Sequence, residues 1–263
     1  MESRFLRASA VTVVTAVLLG ACASQVQFPS EPQKLALTGQ LHQPDDKSRH
    51  PAVILLAPCG GVTSHMGDWA RWLNGLGYVT LIVDSQTSRG TTSSCEGRGP
   101  GTYQVARDAV DALVYLRTLP SVDPDRVAAM GWSLGGTAAL AASNSSRRYW
   151  RGYQDTPSFQ AVVAFYPSCY DLDCGTNTPT LLLLAGRDDW TPPEPCLKTM
   201  EAYHRGVRML RAEVYPDALH AFDRPETPMS YLGHAMAYDR GAAGAAHDAV
   251  RTFLAEELGG KHP

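Results

Sequence analysis

Arg126 to Gly136, RVAAMGWSLGG, is an apolar run that ends abruptly in a G-x-S-x-G pentapeptide spanning Gly131 to Gly135. Its first seven residues read as a strand, and the alanine-rich stretch from Leu134 to Ser143 reads as the helix that follows. A serine at so sharp a strand-to-helix turn is forced into a strained backbone conformation, and its hydroxyl projects above the sheet. A Cβ atom at Gly131 or Gly135 would collide with neighbouring backbone, which explains glycine at both positions. The helix start also brings N–H groups and a positive dipole end to Ser133.

On either side of this segment, short runs rich in branched residues recur. They are Pro51 to Ala57, Tyr78 to Asp84, Ala161 to Tyr166 and Thr180 to Ala185, each bounded by Gly, Pro or polar residues. Such runs suit strands buried on both faces of a parallel sheet. Val105 to Leu119 carries apolar residues at helical spacing, and Ala242 to Leu258 reads as a closing helix. Strands alternating with helices predict an α/β fold of three layers, a mostly parallel central sheet flanked by helices with right-handed crossovers. Leu35 to Leu41 reads as an early antiparallel edge strand, and Asn144 to Phe159 as a small insertion.

A serine hydroxyl needs a base to take its proton. In this strand order the acid and then the histidine should follow the serine, each after a later strand. GRDDWTPP, Gly186 to Pro193, comes directly after the Thr180 to Ala185 run. YPDALHAF, Tyr215 to Phe222, comes after a strand expected at Arg211 to Tyr215. His220 is the candidate base, with an aspartate fixing its tautomer.

Together GWSLGG, GRDDWTPP and YPDALHAF resemble the motifs of the dienelactone hydrolase group of α/β-hydrolases, in order, over roughly Leu35 to Leu258. The resemblance implies Ser133 as nucleophile, Asp188 as acid and His220 as base. Asp188 stands four residues before a proline, as the family's aspartate does, and Asp189 stands likewise before Pro193 as a rival. Dienelactone hydrolases proper carry cysteine at the elbow. Serine here points to general ester cleavage rather than to the dienelactone substrate. The oxyanion hole needs two preorganised N–H groups. Leu134 is the first candidate and Cys59 the second, with Gly60 behind it; a catalytic thiol at Cys59 finds no base to pair with. Trp132 and Trp190 flank the proposed site as candidate acyl-pocket residues. Arg89 and Arg98 are read as solvated loop residues, with contact to a substrate carboxylate as the alternative.

The first 21 residues read as a signal peptide, with Arg4 and Arg7 before an apolar run at Ala8 to Leu19. Leu19-Gly20-Ala21-Cys22 resembles the bacterial lipobox, in which the cysteine is lipidated. Residues 22–33 then form a tether and residues 34–263 the hydrolase domain. The expected location is the cell envelope, as an outer-membrane lipoprotein held by its lipid. Export makes disulfides expected among Cys59, Cys95, Cys169, Cys174 and Cys196. Loop positions at the sheet edge favour Cys59–Cys95 and Cys169–Cys196, with Cys174 free or replacing Cys169. The cysteine spacing does not suit zinc.

The chain of 263 residues has 44% hydrophobic and 19% charged residues and a net charge of −3. That suits one globular domain and offers no basic surface for nucleic acid. No apolar run reaches the roughly 18 residues of a membrane-spanning helix. Two classes of function follow. The first is a serine hydrolase acting on a small-molecule ester without metal or organic cofactor. The second is a non-catalytic envelope lipoprotein using the same fold as a binding scaffold. His42, His50, His204, His234, His247 and His262 lack a nucleophile or ligand motif and are expected mostly to face solvent.

Overall fold

The computed structural model describes residues 23–30, 34–143, 158–170, 178–203 and 210–259. Cys22, Cys174 and most of the insertion expected at Asn144 to Phe159 lie outside them. Strand β1 is Ser24–Ser30, β2 Leu35–His42, β3 His50–Leu56, β4 Val79–Asp84, β5 Val122–Trp132, β6 Ala161–Phe165, β7 Thr180–Ala185 and β8 Leu210–Tyr215. These make one sheet in the order β1-β2-β4-β3-β5-β6-β7-β8. From β4 to β8 the pairing is parallel; β1 and β2 run antiparallel to their neighbours. The described residues also form five α-helices: α1 Ser64–Gly75, α2 Thr102–Arg117, α3 Leu134–Ser143, α4 Glu194–Tyr203 and α5 Arg240–Leu258. A small hairpin, β9 Ser230–Tyr231 with β10 His234–Ala235, precedes α5.

The core divides across the sheet as the period of a strand requires. In β3, Ala52, Ile54 and Leu56 pack with residues of α2 and α3, whereas Val53 and Leu55 pack with residues of α1 and α5. Each fully buried Val, Leu or Ile contributes about 1.5–3 kcal/mol relative to exposure, so the two faces together supply the main driving force.

Two expectations need correction. Ser24–Ser30, read as tether, is instead the edge strand, paired along its whole length with β2. Consequently β2 is not the edge. Phe28 is the reason: it is buried and stacks on Tyr115 of α2, with ring centroids 5.2 Å apart. Pro29 does not break the strand because it lies exposed on the sheet's outer edge, where no further ladder bond is needed. Among the described residues the sheet therefore begins at Ser24.

Candidate active site

Ser133 sits between β5 and α3 with φ at +52°, one of five described non-glycine residues in the left-handed region. Its N–H donates to the Phe165 carbonyl at 3.0 Å, and its own carbonyl accepts from Thr137 N–H at 2.9 Å. A Cβ on Gly131 would lie 2.2 Å from the Gly135 carbonyl oxygen, and one on Gly135 would lie 2.2 Å from that of Leu56. Glycine at both positions is thus a steric requirement of the turn.

Three residues remote in sequence meet at this rim. His220 Nδ1 lies 2.7 Å from Asp188 Oδ2, and His220 Nε2 lies 3.1 Å from Ser133 Oγ. An ionised carboxylate only accepts, so Nδ1 carries the proton and Nε2 is left as the acceptor for the serine hydroxyl. Asp188 is held in turn: its Oδ1 accepts from the N–H groups of Trp190 and Thr191, both at 2.9 Å. Thr191 Oγ1 stands 2.9 Å from Oδ2. Burial pushes the Asp188 carboxyl upward, but the His220 contact and those two amides outweigh it, leaving its pKa below the ordinary value. Asp189, the rival, turns the other way. It accepts from Ala235 N–H of β10 and faces His234 at 3.4 Å.

Leu134 opens α3, so its N–H is among the first-turn donors that no helix carbonyl receives. The Cys59 peptide is pinned by its carbonyl, which accepts from Ser94 N–H at 2.7 Å and from Gln86 Nε2 at 3.3 Å. The bridges Cys59–Cys95 and Cys169–Cys196 are both present. The first ties the loop after β3 to the glycine-rich loop Gly97 to Gly101.

Two cavities open beside Ser133. One, of about 250 Å³, is lined by His220, His65, Tyr166, Trp190, Arg224 and Met236, among others. The other, of about 450 Å³, is lined mainly by Ser94, Gly97 to Gly101 without Arg98, Leu134, Thr137, Ser168 and Tyr170. Cys59, Cys95, Ser133 and Trp190 border both. Trp190, expected to flank the site, lines both cavities. Trp132 does not: it is fully buried and lines neither cavity.

Sequence reasoning passed over His65 and Arg224. Both line the smaller cavity, and His65 Nε2 and Arg224 Nε are buried without a hydrogen-bond partner among the described residues. Burial lowers the His65 pKa, favouring the neutral ring. No motif marks either residue, because α1 and the base loop bring them together only in three dimensions. Arg89 is neither solvated nor at the site; it forms a two-pronged ion pair with the buried Asp108, both contacts 2.8 Å. Arg98 is the surface residue expected, paired with Glu96. The solvent-facing expectation fails for three histidines. His42 and His50 are buried, the latter bonded to Asp46 and the Gly77 carbonyl. His247 stacks flat on Trp69 at 3.7 Å. Among the described residues no cluster of His, Cys, Asp or Glu could hold a metal ion.

A mostly parallel eight-stranded sheet with a strained serine at a strand-to-helix turn, faced by a histidine and an aspartate from later loops, defines an α/β-hydrolase. The chain belongs to the dienelactone hydrolase family, which matches residues 37–258. It is 26% identical over 191 residues to a Bradyrhizobium protein named as a probable 2-oxo-3-(5-oxofuran-2-ylidene)propanoate lactonase, covering 69% of this chain and 77% of that one. Among solved structures, the dienelactone hydrolase-like promiscuous phosphotriesterase P91 from metagenomic libraries superposes with a TM-score of 0.72. The match is 20% identical and covers 91% of this chain and 100% of the other. Esterase 2 of Thermogutta terrifontis gives a TM-score of 0.66 at 18% identity, covering 90% and 92% of the two chains.

Proposed function

We propose that this hydrolase is a serine esterase working through Ser133, His220 and Asp188. The observation that carries the reading is the unbroken relay Ser133 Oγ, His220 Nε2, His220 Nδ1, Asp188 Oδ2, with contacts of 3.1 and 2.7 Å. Ser133 Oγ attacks the ester carbonyl carbon while His220 Nε2 takes its proton. The carbonyl oxygen becomes an oxyanion that faces the Leu134 and Cys59 N–H groups. His220 then returns the proton to the leaving alcohol, and the C–O bond breaks to leave an acyl-serine. Water repeats the sequence, giving its proton to His220, and the acid departs with Ser133 restored.

The proton is delivered from His220, which borders only the smaller cavity, so the leaving alcohol is assigned there and the acyl group to the larger one. Arg224 in the smaller cavity suits a substrate with an acidic group, in keeping with the propanoate in the name of the Bradyrhizobium relative. Arg224→Gln should raise KM for carboxylate-bearing esters and leave neutral esters within about twofold. A fluorophosphonate probe tests the main claim. Wild type should be labelled and Ser133→Ala should not; an unlabelled wild type would favour the binding-scaffold reading.

We also place the protein in the cell envelope, held by lipid on Cys22. The charged start, the apolar run and the Leu-Gly-Ala-Cys sequence support this, as do the two disulfides. Cys22→Ser should release the protein from membranes, and continued association would overturn the anchor.

A further inference from the structure

The carboxylate of Asp223 is buried, and no lysine, arginine or histidine nitrogen forms an ion pair with it among the described residues. A buried charge in that position must be met by hydrogen bonds or it destabilises the fold. Three donors meet it. Trp132 Nε1 donates to Oδ2 at 2.7 Å, Trp69 Nε1 donates to the same oxygen at 3.1 Å, and the Tyr166 hydroxyl donates to Oδ1 at 2.7 Å. Burial first, and then the Asp223 charge, push the Tyr166 hydroxyl pKa well above its ordinary value, so this donor keeps its proton.

What these donors adjoin matters more than their number. Trp132 is peptide-bonded to Ser133, at φ +52°. Tyr166 itself has φ +36°, its ring lies 4.7 Å from the His220 imidazole, and its carbonyl accepts from the Thr191 hydroxyl beside Asp188. Ala221, at φ +60°, sits between His220 and the Phe222-Asp223 pair. Left-handed conformations of this kind persist only where their surroundings over-determine them. Three of the described non-glycine residues in that region are therefore restrained around one carboxylate, and all three border the reacting groups.

We propose that Asp223 is a positioning residue for the reaction. Through Trp132 and Tyr166 it holds the Ser133 turn and the His220 ring in register, without touching substrate. This rests on the serine-esterase reading. Charge-assisted bonds are roughly twice as strong as neutral ones, which explains a carboxylate rather than an amide at the hub.

The test uses the full chain and p-nitrophenyl acetate, with kcat counted per active site titrated by a fluorophosphonate and folding followed by thermal melting. Asp223→Asn can still offer Oδ1 to the indoles and an N–H to the Tyr166 oxygen. It should therefore fold, lose about tenfold in kcat and keep KM within about twofold. Asp223→Ala should lose about a hundredfold in kcat. Trp132→Phe with Tyr166→Phe removes two donors but keeps an aromatic ring at each position, and in that background Asp223→Asn should cost less than about threefold more. If Asp223→Ala fails to fold, the Asn variant and the phenylalanine pair decide. Unchanged kcat per titrated site in Asp223→Asn, or fully additive losses in the combined variant, would overturn the proposal. A wild type that the probe never labels would overturn both this inference and the esterase reading; a labelled wild type with fully active Asp223 variants would overturn this one alone.

Discussion

Asp108 and Asp188 both have side chains completely withdrawn from water, yet they face opposite kinds of partner. Asp108 is gripped by both terminal nitrogens of Arg89, with Ser30 of β1 and Gln104 of α2 at 3.5 Å. A guanidinium does not give up its proton in any ordinary pH range, so that pair is static. It fastens the edge strand, the loop after β4 and helix α2 to each other. Asp188 faces an imidazole, whose charge can change, and its remaining lone pairs are filled by loop amides. Equal burial thus yields a structural clamp in one place and, in the proposed mechanism, a proton relay in the other. The titratability of the partner makes the difference.

Asp188→Asn should break the relay most severely. The amide would favour the wrong His220 tautomer, and kcat should fall by about 10⁴ while the protein stays folded. A loss under tenfold in steady-state ester hydrolysis would remove Asp188 from the relay and end the comparison. Asp108→Asn should do the reverse. It removes the charge that both Arg89 nitrogens grip, so about 3 kcal/mol of stability should be lost in denaturant unfolding with kcat within about twofold. A large kcat loss without a stability loss would show that the clamp reaches the site.

The pH dependence sharpens the same contrast. The native pKa of Asp188 is lowered, so its contribution to stability is fully present above the unfolded value of about 3.9 and is lost as pH falls through the native value. The stability gap between wild type and Asp188→Asn should therefore narrow as pH falls below about 4, read by chemical denaturation across pH. A gap that widens on acidification would reverse the assigned direction. Smallest of all should be Asp189→Asn. This half-exposed neighbour holds the β10 amide and faces His234, away from His220, and the amide oxygen can still accept, so kcat should change less than about threefold. A loss as large as that of Asp188→Asn would make Asp189 the acid.

Sequence alone distinguished these carboxylates only in part. Both Asp188 and Asp189 stand four residues before a proline, and spacing cannot say which way a turn points its side chains. The turn decides, because the Trp190 and Thr191 amides close on Asp188 while Asp189 is drawn to the β9–β10 hairpin. Asp108 lay in a helix reading as ordinary amphipathic surface and core, and Arg89 read as a loop residue. Their meeting depends on how the loop after β4 folds over α2. β1 was missed for a related reason. SQVQFPS is polar and carries a proline, and it becomes a strand only because β2 offers an unpaired edge and Tyr115 a surface for Phe28.

The local signals were sufficient for the frame. Apolar runs of strand length alternating with helical periodicity determine an α/β sheet, since each element must bury its own face. The G-x-S-x-G turn determines where the serine stands, because its steric demands are met within a few residues. The order of serine, acid and histidine loops along the chain was equally readable. Tertiary structure alone decided which aspartate faces His220, which carboxylate is a clamp, and that His65, Arg224 and Asp223 surround the site. Those outcomes turn on contacts spanning up to 154 residues, as between Trp69 and Asp223, and such contacts arise only when packing brings separate elements within hydrogen-bond reach.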